Sequence, residues 1–120
     1  MLSALTQHHT PYASISRALE RMHEGYRESL AVEDLAKEVA MSISSFHRAF
    51  KQVTGDSPLQ YLEKLRLLKA KGLLVLEGAR VDEAAYDVGY VSASQFSREF
   101  KRYFNVPPSE ARSLPYSDAP

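Results

Sequence analysis

One internal duplication limits what this chain can fold into more than any other feature. Phe46-His47-Arg48-Ala49-Phe50-Lys51 recurs as Phe96-Ser97-Arg98-Glu99-Phe100-Lys101, so both copies share the form F-x-R-x-F-K. Upstream of each copy stands a matching short segment, Val32-Glu33-Asp34-Leu35-Ala36 against Val81-Asp82-Glu83-Ala84-Ala85. Downstream, each copy runs into a breaker followed by proline: Gly55-Asp56-Ser57-Pro58 in one, Asn105-Val106-Pro107-Pro108 in the other. A unit that repeats whole, with its own start and stop signals, is one supersecondary element used twice. The link between short segment and hexapeptide is one residue longer in the second copy.

Apolar spacing says what that element is. On a helical wheel advancing about 100° per residue, Phe46, Phe50 and Val53 fall in one narrow arc, and Phe96, Phe100 and Tyr103 do the same. The opposite arc, at about 100° to 200°, carries Ser44, His47, Arg48 and Lys51 in one copy and Ser94, Ser97, Arg98 and Lys101 in the other. Each hexapeptide is thus expected to form a helix with an aromatic anchor inside and hydroxyls, one arginine and one lysine outside. No alternating strand pattern of any length occurs, so the expected fold is all-α.

Ser14 offers an N-cap to a first helix whose apolar positions are Ile15, Ala18, Leu19, Met22 and Tyr26, ending near Gly25. Residues 1–13 then read as a flexible lead-in or linker stump, and 115–120 as a tail. Within 14–114, a short helix near Val32–Val39, with Glu33 and Asp34 in its first turn, and a helix near Ser44–Val53 form a first helix-turn-helix at about 32–53. Pro58 suits the first turn of a longer helix, about 58–76, whose Leu59, Leu62, Leu65, Leu68 and Leu73 should keep one side buried. A second helix-turn-helix follows at about 81–104, from Val81–Val88 and Ser92–Phe104.

Composition narrows the function. The 120 residues include no cysteine, which excludes disulfides, thiolate zinc sites and a cysteine nucleophile. There is no apolar run long enough to span a bilayer and no signal-peptide pattern in Met1-Leu2-Ser3-Ala4-Leu5, so a cytoplasmic protein without membrane contact is expected. Fifteen basic residues balance fifteen acidic ones, yet they are unevenly placed. Glu20, Glu24, Glu28, Glu33, Asp34 and Glu38 crowd the first third, whereas Arg48, Lys51, Lys64, Arg66, Lys69 and Lys71 dominate the middle. Phosphate attraction depends on such local surfaces rather than on the molecular sum.

The outer faces of the two hexapeptide helices have the chemistry of a major-groove reader. A guanidinium can donate two hydrogen bonds to guanine O6 and N7, and Gln95 can bind adenine N6 and N7 in the same manner. A lysine one turn further along reaches phosphate. On these grounds double-stranded DNA is the expected partner, with Ser45, Lys51, Ser97, Lys101 and Arg102 as candidates for phosphate or flanking contacts. Solvation alone would explain one such helix; two copies with matched inner and outer faces favour a shared task.

From about Ile15 to Arg112 the chain resembles the DNA-binding domain of the AraC/XylS family of transcription regulators. Most specific are Val81-Asp82-Glu83-Ala84-Ala85-Tyr86-Asp87-Val88-Gly89-Tyr90, then Ser94 through Phe104, then Val106-Pro107-Pro108; Pro58-Leu59-Gln60-Tyr61-Leu62 through Arg66-Leu67 is similar to the start of the family's connecting helix. The resemblance implies seven helices in two subdomains joined by a central linker helix, with base contacts at Ser44, His47, Arg48, Ser94, Gln95 and Arg98. A 19-residue linker is about 28 Å long, close to the roughly 34 Å turn of B-DNA, so both helices could read successive major-groove segments, with bent DNA as one way to seat them. It also implies RNA polymerase as a partner and a sensing or dimerisation domain ahead of this one; the irregular start favours a fragment over a stand-alone regulator. The chain departs from the family pattern at Ala40, where the first turn often has glycine, and at Ala31 and Ala84.

Two rival classes fit the sequence less well. An enzyme would have to use His8, His9, His23 or His47, and none has a nucleophile or paired carboxylate at a convincing spacing, so no catalytic, metal or cofactor site is expected. An all-helical protein-interaction module without DNA binding would use the leucine-rich 58–76 helix as its docking face, although those leucines are more simply core.

Overall fold

The computed structural model describes residues 10–114, and within them every regular element is helical. Helix α1 (Pro11–Gly25) begins one turn ahead of the expected Ser14. Thr10 is its cap, the hydroxyl accepting from the Ala13 amide at 3.1 Å, and Pro11 fills the first helical position, where no amide donor is needed. The apolar period that marks the rest of the helix is absent from this turn, which hid it from a reading based on periodicity. Of the expected lead-in and tail, 1–9 and 115–120 lie outside the described residues.

Helix α2 (Val32–Glu38) carries Glu33 and Asp34 in its first turn, near the positive end of the helix dipole, in place of a side-chain cap at Ala31. Helices α3 (Ile43–Thr54), α4 (Pro58–Leu76), α5 (Val81–Asp87) and α6 (Ala93–Phe104) follow, then a 3-10 helix, Pro108–Ser113. The described residues thus hold six α-helices and one 3-10 helix, where the family resemblance implied seven helices. No helix among them is long and apolar enough to cross a membrane.

The chain divides into two compact units, with the boundary between Leu62 and Glu63, inside α4. In the first, α1 packs on α2 and α3, and α2 on α3, around Ile15, Ala18, Met22, Leu35, Ala36, Val39, Phe46, Ala49, Phe50 and Leu62. In the second, α5 and the 3-10 helix pack on α6, and Ala84, Ala85, Val88, Phe96, Phe100 and Ala111 are buried.

Helix α4 does not keep the one buried side expected of it. Pro58, Leu62 and Leu65 are buried within about 60° of one another on the wheel, but Leu67, Ala70 and Leu74 are buried about 120° to 180° away from Pro58. Leu59 is 58% exposed, and Leu68 and Leu73 are only half-buried. A helix apolar all round leaves its buried face to be chosen by what packs on it, turn by turn.

The two turns repeat atom for atom. After α2, the Ala40 amide donates to the Lys37 carbonyl at 3.0 Å and the Met41 amide to Ala36 at 2.9 Å; after α5, Gly89 donates to Tyr86 at 3.1 Å and Tyr90 to Ala85 at 3.0 Å. Both are Schellman caps, which require a left-handed residue at the first position past the cap. Gly89 supplies it with φ +104°, whereas Ala40 is held at φ +57° despite its Cβ.

Candidate nucleic-acid interface

The second helix of each pair is started, anchored and stopped in the same way. Ser42 caps α3 through a hydroxyl accepting from the Ser45 amide at 3.2 Å, and Ser92 caps α6 through Gln95 at 3.2 Å. Both helices end on a left-handed residue, Gly55 or Asn105, whose amide returns to Lys51 or Lys101 at 2.8 Å. Inside, Phe46 and Phe50 are fully buried with ring centroids 5.6 Å apart, and Phe96 and Phe100 repeat this at 5.6 Å. Burying each ring contributes about 1.5–3 kcal/mol, enough to fix the rotation of each helix about its axis.

The expected third members of the inner arcs fare differently. Val53 is 37% exposed; Tyr103 is half-buried and packs edge-on against Phe104, centroids 4.8 Å apart.

With the rings fixed inward, the polar arcs face outward. Ser44, His47, Arg48 and Lys51 are exposed and, with Gln52 and Ser57, line one open depression in the first unit; Ser45 is half-buried. In the second unit Ser94, Gln95, Arg98, Lys101 and Arg102 are exposed and Ser97 is half-buried. The side chains of His47, Arg48, Lys51, Arg98 and Lys101 make no hydrogen bond or ion pair with another described residue. Their donors are therefore available to an outside acceptor, and two guanidinium forks on exposed helix faces suit base edges or phosphate oxygens.

The basic residues of the middle of the chain are not equally exposed. Lys71 is buried, its Nζ 5.2 Å from the centre of the Phe104 ring, and Lys64 and Arg66 are half-buried. Only Arg48, Lys51 and Lys69 of that group are exposed.

Gln95 is not a free amide. Its Nε2 donates to Glu99 Oε2 at 2.9 Å, and the Tyr90 hydroxyl donates to Glu99 Oε1 at 2.7 Å. Burial, then the hydrogen bond to Glu99 and its charge, push the Tyr90 phenol upward, so it stays a protonated donor. Burial also raises the Glu63 carboxyl above its ordinary range, the Glu99 charge adding to this while Arg102 and Arg66 oppose it. Sequence reasoning passed over Gln52, which stands one turn beyond Arg48, and Glu99, which stands one turn beyond Gln95. That spacing was the available signal for both. His23, one of the four histidines an enzyme would have to use, bonds to the Tyr61 hydroxyl at 2.8 Å; His8 and His9 lie outside the described residues.

Residues 35–113 match the model of a helix-turn-helix domain family. Among curated proteins, the chain is 35% identical over 100 residues to the HTH-type transcriptional activator RhaS of Salmonella schwarzengrund, a stretch covering 83% of this chain and 36% of the relative. The chain thus spans about a third of that protein's length. Among solved structures, a transcriptional regulator of the AraC-type DNA-binding domain-containing proteins from Chromobacterium violaceum is similar at 30% identity and TM-score 0.77, covering 83% of this chain and 89% of that one. The DNA-binding domain of AdpA, a global transcriptional factor solved in complex with a target DNA, is similar at 32% identity and TM-score 0.78, covering 82% and 89%.

Proposed function

Since the chain belongs to the AraC/XylS family of transcription regulators, we propose that it regulates transcription by binding double-stranded DNA in a sequence-specific way, with α3 and α6 as its two readers. One observation carries this reading: two helices with matching serine N-caps, left-handed C-caps and equally buried phenylalanine pairs each turn to solvent an arginine and a lysine whose side chains have no partner among the described residues. The AdpA domain, solved on its target DNA, supports it. The family is one of regulators, not enzymes, and no reaction is assigned.

In finer detail, Ser44, His47 and Arg48 from α3 and Ser94, Gln95 and Arg98 from α6 would meet base edges. Ser45, Lys51, Ser97, Lys101 and Arg102 would meet phosphate or flanking positions. Helix α4 would act as the linker between the readers, so that they enter successive major-groove segments of one site, and the 3-10 helix would stand for the seventh helix of the family pattern. Because the chain is much shorter than RhaS, a sensing or dimerisation domain joined to it, contact with RNA polymerase and a cytoplasmic setting belong to the same proposal.

Selection of bound sequences from random duplexes, followed by footprinting, tests it. The expected outcome is one asymmetric site protected in two clusters about 10 base pairs apart, with affinity falling steeply as salt rises. Binding that ignores sequence, or a partner held equally well at high salt, would overturn the reading in favour of a protein-interaction module.

A further inference from the structure

The two readers are not equivalent, and one difference between them lies in three positions that correspond between the repeats. The first unit has Met41 at the end of the turn, Ser45 in the first turn of the reader and buried Ala49 one turn on; the second has Tyr90, Gln95 and Glu99 there. These three are joined: Tyr90 to Glu99 at 2.7 Å, and Gln95 to the other carboxylate oxygen at 2.9 Å. The Tyr90 ring is itself held, 8% exposed and packed edge-on against Phe96 with centroids 5.2 Å apart. A carboxylate only accepts, so the Gln95 amide must turn its NH2 toward Glu99 and its carbonyl oxygen away.

We propose that Glu99, held by Tyr90, is a positioning residue that fixes the Gln95 amide and thereby sets the base preference of the second reader. This rests on the reading of α6 as a DNA-contacting helix. With its oxygen turned outward, Gln95 selects a base that offers a major-groove donor: adenine N6 first, because the remaining amide N–H can reach N7, then cytosine N4. Guanine and thymine present no donor there and are disfavoured. In the first unit Ser45 and Ala49 provide no such constraint.

The test compares the chain with Glu99→Gln, Tyr90→Phe and Gln95→Ala. Duplexes varied at single positions of the selected site are used, with helicity and melting recorded for each variant. Gln95→Ala identifies the position concerned. Glu99→Gln keeps size, but its amide can face Gln95 with either group, so preference at that position should relax by about five- to tenfold, with positions read by α3 unchanged. Tyr90→Phe, which keeps the buried ring, should move the same position in the same direction. In the Gln95→Ala background, Glu99→Gln should add nothing.

An unchanged preference in Glu99→Gln, or even weakening on all sequences, overturns the proposal. Failure of the parent chain to select any sequence would instead overturn the DNA reading. The network would then still be read from the Gln95 side-chain amide protons in the free protein, which should be distinct and slow to exchange only while Glu99 is present.

Discussion

Replacing Ala40 by glycine should stabilise the first unit. Ala40 sits at φ +57°, in the left-handed well, where its Cβ crowds the following carbonyl at a cost of about 1–2 kcal/mol. Glycine removes that strain but raises the entropy of the unfolded chain, which costs about 0.4–1 kcal/mol. At the midpoints of the two ranges the difference is a net gain of about 0.8 kcal/mol. Nothing else changes, because the two Schellman bonds from the Ala40 and Met41 amides are backbone bonds and Ala40 is exposed.

For a unit of this size the gain corresponds to a rise of about 3–6 °C in Tm, read by circular dichroism on heating or by the urea midpoint. The second unit supplies the reciprocal experiment. Gly89 lies at φ +104°, further from the well that a side chain tolerates, so Gly89→Ala should lose at least about 1–2 kcal/mol. A neutral or destabilising Ala40→Gly together with a harmless Gly89→Ala would refute the reasoning, since it would mean that backbone strain at these turns has no energetic weight.

Three further outcomes are expected. Arg48→Ala and Arg98→Ala should each cost about 1–3 kcal/mol of binding and relax preference in different halves of one site, measured by titration against single-substitution duplexes; even weakening on every sequence would make them phosphate contacts. Lys51→Ala should weaken binding on all sequences and reduce the slope of log affinity against log salt by about one, and an unchanged slope removes Lys51 from the interface. Glu63→Gln should stabilise the second unit more at pH 7 than at pH 4 in urea titrations. The folded-state value of Glu63 is raised, chiefly by burial, so its contribution is fully favourable below the ordinary glutamate range and is lost as pH rises through the raised value. An equal effect at both pH values would contradict this.

How much was legible in the sequence follows from which interactions are local. The phenylalanine pairs were, because both members lie on one helix and their spacing alone puts them together. So was the outward arc of Ser44, His47, Arg48 and Lys51, which is the geometric complement of the rings. The start of α1 was written in Thr10-Pro11 but not in apolar periodicity. Val53 lies at the angle of the buried rings yet is exposed, so angle alone did not decide its burial. Lys71 and Lys51 look alike as sequence; one is buried beside Phe104 and the other is exposed.

By itself the sequence determined an all-helical chain built twice from one pattern, with a ring-bearing and an arginine-bearing side to the second helix of each pair. Helical period, caps and breakers act within a few residues and need no knowledge of the rest of the molecule. Tertiary structure alone decided which cations are exposed, which turns of α4 are covered on which side, and that the Tyr90 hydroxyl meets Glu99. Burial and hydrogen-bond geometry are sums over atoms contributed by other elements, and only the packed chain supplies those atoms.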